Sequence, residues 1–309
     1  MFHETNNLYN INMKDLLIIR LIFILSLTCG IVRAQDDLLN SLDKDIAEEV
    51  HYVGYTFKST HIINGHSVEN MHKNQLDFRI NHRFGELNSG LFNLYGLDNA
   101  LINFSLDYGL TDRLMVGIRR GTYEKTYDGS LKYLLLRQCT GKRNFPVTVS
   151  YYTDMSANTL LYTAPLQRRL AFVHQILIAR KFNEKLSIQL SPSFVHRNSV
   201  QATDENDVFA VGFGGRYKFV RRVAFTWEYF YCSHTSKSDT YFNPLAVGVD
   251  IETGGHVFQL FITNSRPMVE KGMIAETTGD IRHSGLYLGF NLSRVFALGK
   301  HKEKEKAKE

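Results

Sequence analysis

Much of this chain alternates apolar and polar residues with a period of two, the spacing of strands that keep one face against an apolar medium. The clearest stretch is 244–264, PLAVGVDIETGGHVFQLFITN. Leu245, Val247, Val249 and Ile251 alternate with Ala246, Gly248, Asp250 and Glu252. Beyond Thr253-Gly254-Gly255, Phe258, Leu260 and Ile262 alternate with Val257, Gln259 and Thr263. The pattern predicts a β-hairpin with one greasy face. Its turn falls at Thr253, Gly254 and Gly255, where glycine is expected to supply the positive φ of a tight turn.

The unit recurs. Leu76, Phe78, Ile80 and Phe84 alternate with Gln75, Asp77, Arg79, Asn81 and Arg83, over a length that suits a tilted membrane crossing of about ten residues. Ile102, Phe104, Leu106 and Tyr108 face away from Asn103, Ser105 and Asp107, and 113–120 completes that hairpin. Further strands are predicted over 130–137, 145–153, 168–181, 186–197, 207–219, 222–232 and 284–296. In 168–181 either parity turns His174 or Gln175 toward lipid. Pro192 predicts a bulge, because a closed barrel offers no free edge.

Consecutive strands of this kind must close or bury their edges. The expected fold is therefore all-β: a closed antiparallel up-and-down transmembrane β-barrel over residues 74–296, of about twelve strands. Short gaps at 109–112, 182–185, 220–221 and 253–254 alternate with long polar gaps at 121–129, 154–167, 198–206, 233–244 and 264–283. That alternation matches periplasmic turns and extracellular loops. The stretch 53–63 would make the strand count odd, so it is placed outside the wall, within an N-terminal periplasmic segment over 35–73. Fourteen strands is the alternative, if 67–72 pairs with it.

Composition narrows the class. Lys14 precedes an apolar run from Leu16 to Cys29, and Val32 and Ala34 fit a small-residue cleavage site. Residues 1–34 read as a secretory signal peptide, for which Met13 offers an alternative start. Residues 297–309 read as a disordered Lys/Glu tail. The expected location is the outer membrane of a Gram-negative cell, with the lipid bilayer as the partner. A mean hydropathy of −0.21 argues against a helical membrane protein but not against a barrel, where alternation hides the signal. A net charge of +5 lacks the concentrated basic patch of a nucleic-acid binder. Cys139 and Cys232 fall at opposite ends of the expected barrel, too far apart for a disulfide. No Cys/His spacing suggests zinc, and nothing calls for a cofactor.

The candidate chemistry lies on the inward face, where Asp77, Arg79, Arg83, Asp107, Arg119, Arg216, Lys218, Glu228, Asp250 and Glu252 are expected. Arg79, Arg119, Arg216, Glu228, Asp250 and Glu252 form a candidate lumen charge network. Asp250, Glu252 and Glu228 are expected to face Arg216, Arg119 and Arg79. Such charges require partners, so the network is either a self-neutralising brace or the lining of a narrow passage for small polar solutes. Five of the twelve histidines lie between His51 and His82, but their spacing fits no ligand motif and they read as solvated. Gly212, Gly214 and Gly215 fail the dinucleotide fingerprint and read as small residues within a strand. His196-Arg197-Asn198-Ser199 carries the residue types of a hydrolase, but alternation aims them apart, so no enzyme is expected. Aromatics near strand ends, among them Phe145, Trp227 and Tyr231, suit interfacial girdles.

The segment GVDIETGGHVFQL at 248–260 resembles the signature of an uncharacterised family of bacterial β-barrel proteins, known only as a domain of unknown function. The resemblance extends to HRFG at 82–85, YGLTDRLMVG at 108–117, ARKF at 179–182, GFGGRYKF at 212–219 and FNLSRVF at 290–296. It implies an outer-membrane-type barrel. It assigns no activity and no residue role.

Overall fold

In a computed structural model of the protein, residues 49–234 and 240–298 are described. The signal peptide expected over 1–34 and all but the start of the charged tail lie outside those residues.

Among the described residues, twelve strands close into one barrel. They are β1 (Gln75–Glu86), β2 (Ala100–Gly109), β3 (Leu114–Gly121), β4 (Tyr127–Leu136), β5 (Thr148–Ala157) and β6 (Leu170–Lys181), followed by β7 (Leu186–Arg197), β8 (Asp207–Val220), β9 (Val223–Cys232), β10 (Leu245–Thr253), β11 (His256–Thr263) and β12 (Tyr287–Ala297). Each pairs antiparallel with the next in sequence, and β12 closes on β1 with Asn291 opposite Asn81. The fold is the twelve-stranded alternative of the two that the pattern allowed. Outward side chains such as Phe104, Ile118, Leu131, Phe209 and Leu260 are exposed all around the wall. An apolar surface of that extent requires an apolar surround.

Several local expectations change. β4 begins at Tyr127 and β5 runs on to Ala157, because the ladder carries Asp128 and Gly129 into the sheet where local propensity reads a turn. Pro192 does not bulge: it faces outward and the register between β6 and β7 is the same on both sides of it, so the ladder is interrupted without an extra residue. The bulges fall in β8 near Lys218, in β4 near Leu134 and in β1 opposite Tyr287. On β6 His174 is the outward residue, with its Nδ1 2.8 Å from the Tyr151 hydroxyl, while Gln175 turns inward and donates to Ser193. The hairpin turn is at Gly254 and Gly255 as expected, but neither glycine adopts a positive φ.

Residues 35–48 of the stretch expected as a periplasmic segment lie outside the described residues; from residue 49 the stretch stays out of the wall, but it is not a free appendage. Val50–Tyr52 pairs with Cys139–Gly141 in a two-stranded ribbon at the short-turn end. The chain then enters the barrel. From Ser59 to Val68 it is buried apart from half-exposed Asn64, and it reverses where the Ile62 N–H donates to the Gly65 carbonyl at 2.9 Å. It leaves across the end of β2, where a Cβ on Gly109 would stand 2.1 Å from the His72 carbonyl. The physical reason is the inward face itself. An extended segment has no internal ladder, so its backbone groups need outside partners, and the polar wall supplies them.

A second segment enters from the long-loop end. The connection between β11 and β12 turns inward and carries a short helix, α1 (Glu270–Ala275), in which all six residues are buried. Met273, Ile274 and Ala275 pack against Val173, Val195, Val208, Ala210, Phe230 and Cys232. Between the N-terminal segment and the wall a void of about 10 Å³ remains beside Gly212, Gly214 and Phe230, the room of roughly one water.

Candidate functional site

The inserted N-terminal segment hangs on wall side chains, nearly one bond at a time. Glu228 on β9 accepts from the backbone N–H groups of Ile63, Asn64 and Gly65 at 3.3, 2.9 and 3.1 Å. Gln189 on β7 accepts from the Val68 N–H at 2.8 Å and donates to the His66 carbonyl at 2.7 Å. Lys132 on β4 donates to the carbonyls of Thr60 and Ser67 at 3.2 and 3.0 Å. Gln259 and Asn291 reach the carbonyls of Ile62 and Ile63 at 2.6 and 3.0 Å. Phe57, Ile62, Ile63 and Val68 add an apolar contact with Tyr152, Leu177, Ala179, Ala246 and Phe261. Gly214 makes room for it: a Cβ there would lie 2.7 Å from Ile62 Cδ1.

The six residues of the candidate charge network therefore separate. Arg216 pairs with Glu252 and lies 4.0 Å from Asp250, forming one group near the short-turn end. Asp250 also accepts from Gln259 at 2.9 Å. Glu228 is spent on the backbone of the inserted segment. Arg79 serves neutral acceptors: Ser59 Oγ, the Ile63 carbonyl and Gln259 Oε1 at 2.8, 2.9 and 2.6 Å. Arg119 lies in a different cluster, 3.5 Å from Asp107 and 3.8 Å from Glu270. Asp250, Glu252 and Glu228 do not converge on Arg119 or Arg79, because the inserted segment stands between the opposing walls. The inward glycines are Gly212 and Gly214, whereas Gly215 faces out beneath the Trp227 ring. His196 bonds Asp207 at 2.5 Å outside the wall, and Arg197 turns inward to Glu276.

The cluster around Arg119 is where the two inserted segments meet. Arg119 donates to the Tyr152 hydroxyl at 2.8 Å and to His66 Nε2 at 2.5 Å. His66 Nε2 is 3.4 Å from Glu270 Oε1 on α1. The His66 ring lies between those of His61 and Tyr152, with centroids 3.9 and 4.1 Å away. Burial first, then nearby positive charge, holds both imidazoles well below the usual histidine value. Asp128 and Asp154 lie within electrostatic reach of Arg119 and Glu270.

Sequence reasoning missed most of this cluster. Lys132 sat on a recognised strand, opposite in parity to Leu131 and Tyr133, and parity alone would have placed it inward. Asp128 and Asp154 lay just beyond the expected strand ends. His61 and His66 carried no usable signal, since their meeting depends on the turn from Ile62 to Gly65.

A family model described as "Membrane bound beta barrel domain (DUF5777)" matches residues 57–296. The chain belongs to this family. It is a membrane-bound β-barrel, and the matched span begins at Phe57, so the inserted segment is part of the family's unit together with the wall. Among solved structures, the chain is similar to the NanC porin at 8% identity, with a TM-score of 0.44 over 71% of this chain and 98% of that one. It is similar to the KdgM porin at 7% identity and a TM-score of 0.44, over 72% and 99% of the two chains. For the outer membrane protein Omp33 of Acinetobacter baumannii the values are 7% and 0.42, over 72% and 99%. No curated protein matches the chain.

Proposed function

We propose that this protein is a gated passage for small polar solutes in the outer membrane of a Gram-negative cell, reached by signal-peptide export. In this reading the short-turn end faces the periplasm, the long loops face outward, and residues 59–68 are the gate in its shut position. The observation that carries the proposal is the way the segment is held. It is an extended chain whose backbone bonds go to Glu228, Gln189, Lys132, Gln259 and Asn291. Water can replace every one of these bonds as the segment withdraws, leaving a polar lining of the kind a passage needs. No catalytic role is proposed for any residue.

Conductance in a planar bilayer tests it. Wild-type protein is expected to be shut for most of the record. Replacing residues 57–71 by a short Gly/Ser linker is expected to produce stable, resolvable conductance, and shortening 266–276 as well is expected to enlarge it. A competing reading, a closed scaffold with an ion-braced lumen, draws support from the apolar contacts of Phe57, Ile62, Ile63 and Val68, which water does not replace. A linker variant that keeps the heat-dependent electrophoretic mobility of a folded barrel yet stays electrically silent establishes the scaffold and rejects the passage.

A further inference from the structure

We infer that His61, His66 and Glu270 form a binding site for one divalent metal ion of the zinc class, which ties the N-terminal segment to the α1 loop inside the barrel. The inference goes beyond the passage reading and does not rest on it.

One ligand atom from each of the three residues lies within 4.8 Å of the others, and all three residues are buried. The 3.4 Å between His66 Nε2 and Glu270 Oε1 matches the separation of adjacent ligands about a tetrahedral ion with bonds of about 2.0–2.1 Å. Glu270 is 2% exposed, and its Oε1 has no hydrogen-bond partner although it points at the histidines. Two imidazoles with one carboxylate suit zinc and its first-row neighbours, whereas calcium and magnesium favour oxygen alone.

Around the site, Arg119 and Lys132 lie among Asp107, Asp154, Glu270 and Glu69. Both oxygens of Asp128, Oδ1 of Asp154 and Oδ2 of Asp107 also lack hydrogen-bond partners. The competitors are Arg119, which occupies the Nε2 lone pair of His66, and Lys132, whose Nζ lies 3.3 Å from His66 Nδ1. On metal binding the guanidinium is displaced toward Asp107 and Asp154, whose open oxygens accept it.

The test uses the folded full-length barrel in detergent, stripped by a chelator and titrated with Zn²⁺. Calorimetry and elemental analysis are expected to give one ion per chain, and X-ray absorption to give two imidazole nitrogens with carboxylate oxygen. His61→Ala with His66→Ala, and separately Glu270→Gln, are expected to weaken binding beyond the roughly 10–100-fold that loss of an outer-shell partner costs. His72→Ala and His196→Ala, at exposed histidines, are expected to leave it unchanged. Arg119→Gln is expected to tighten it. The inference is overturned if wild-type protein fails to bind one ion, if the spectrum lacks imidazole ligands, or if the double histidine variant binds as well as wild type. Heat-dependent mobility identifies folded variants, and the wild-type spectrum reads the site without any variant.

Discussion

The N-terminal segment and the α1 loop fill the same lumen but are satisfied in different ways. The segment is extended, so its N–H and C=O groups borrow partners from the wall, three of them from Glu228 alone. The α1 loop brings its own helical bonds, among them the Met273 N–H donating to the Val269 carbonyl at 2.8 Å. What it needs from the wall is apolar surface. The difference teaches where each is vulnerable. A hydrogen-bonded insert fails when a single polar partner is lost, because several donors are orphaned together. A packed insert fails in proportion to the volume removed.

Four changes sharpen or break this contrast. Excising residues 57–71 has the largest expected effect, converting a shut barrel into a conducting one while the wall stays folded. Glu228→Ala comes next. It leaves three N–H groups without an acceptor, the two at buried Ile63 and Gly65 each costing about 1–3 kcal/mol, and is expected to lower thermal stability in detergent and raise the frequency of opening. Glu228→Gln keeps an acceptor oxygen and is expected to recover most of both. If Glu228→Ala destabilises no more than the amide does, the segment is not held through its backbone as described. Ile274→Ala removes a fully buried side chain from the α1 contact. Its expected cost is about 2–4 kcal/mol, with bilayer conductance unchanged; an increase in opening would show that α1 gates as well. Gly255→Ala has the smallest expected effect, within about 0.5 kcal/mol, because no atom lies within 4 Å of the added methyl and the φ is not left-handed. A large loss on chemical unfolding would restore the strained turn that the sequence pattern suggested.

Much of the wall was legible in the residues. A period of two is a local property, and the runs 76–84 and 245–251 state it without reference to any other part of the chain. The inward placement of Asp77, Arg79, Arg119, Glu228 and Asp250 follows from parity alone. Their partners do not. Parity and strand order point Arg119 at carboxylates of the β9 and β10 strands, and it meets Asp107 and Glu270 instead. Local cues also misled at Pro192 and at Gly254-Gly255, where the pairing on either side dictates the backbone more strongly than the residue does.

The amino-acid sequence by itself determined a closed, lipid-facing barrel, since alternation sets which face of each strand is apolar and sequential pairing then closes the sheet. Only the tertiary structure decided what occupies the interior. Nothing local in residues 53–74 or α1 says that they enter the barrel, and their places depend on partners far away in the chain: Glu228, Gln189 and Lys132 for one, Val173, Val208 and Phe230 for the other. Contacts of that kind are set by the shape and polarity of a cavity, which exists only once twelve strands have closed around it.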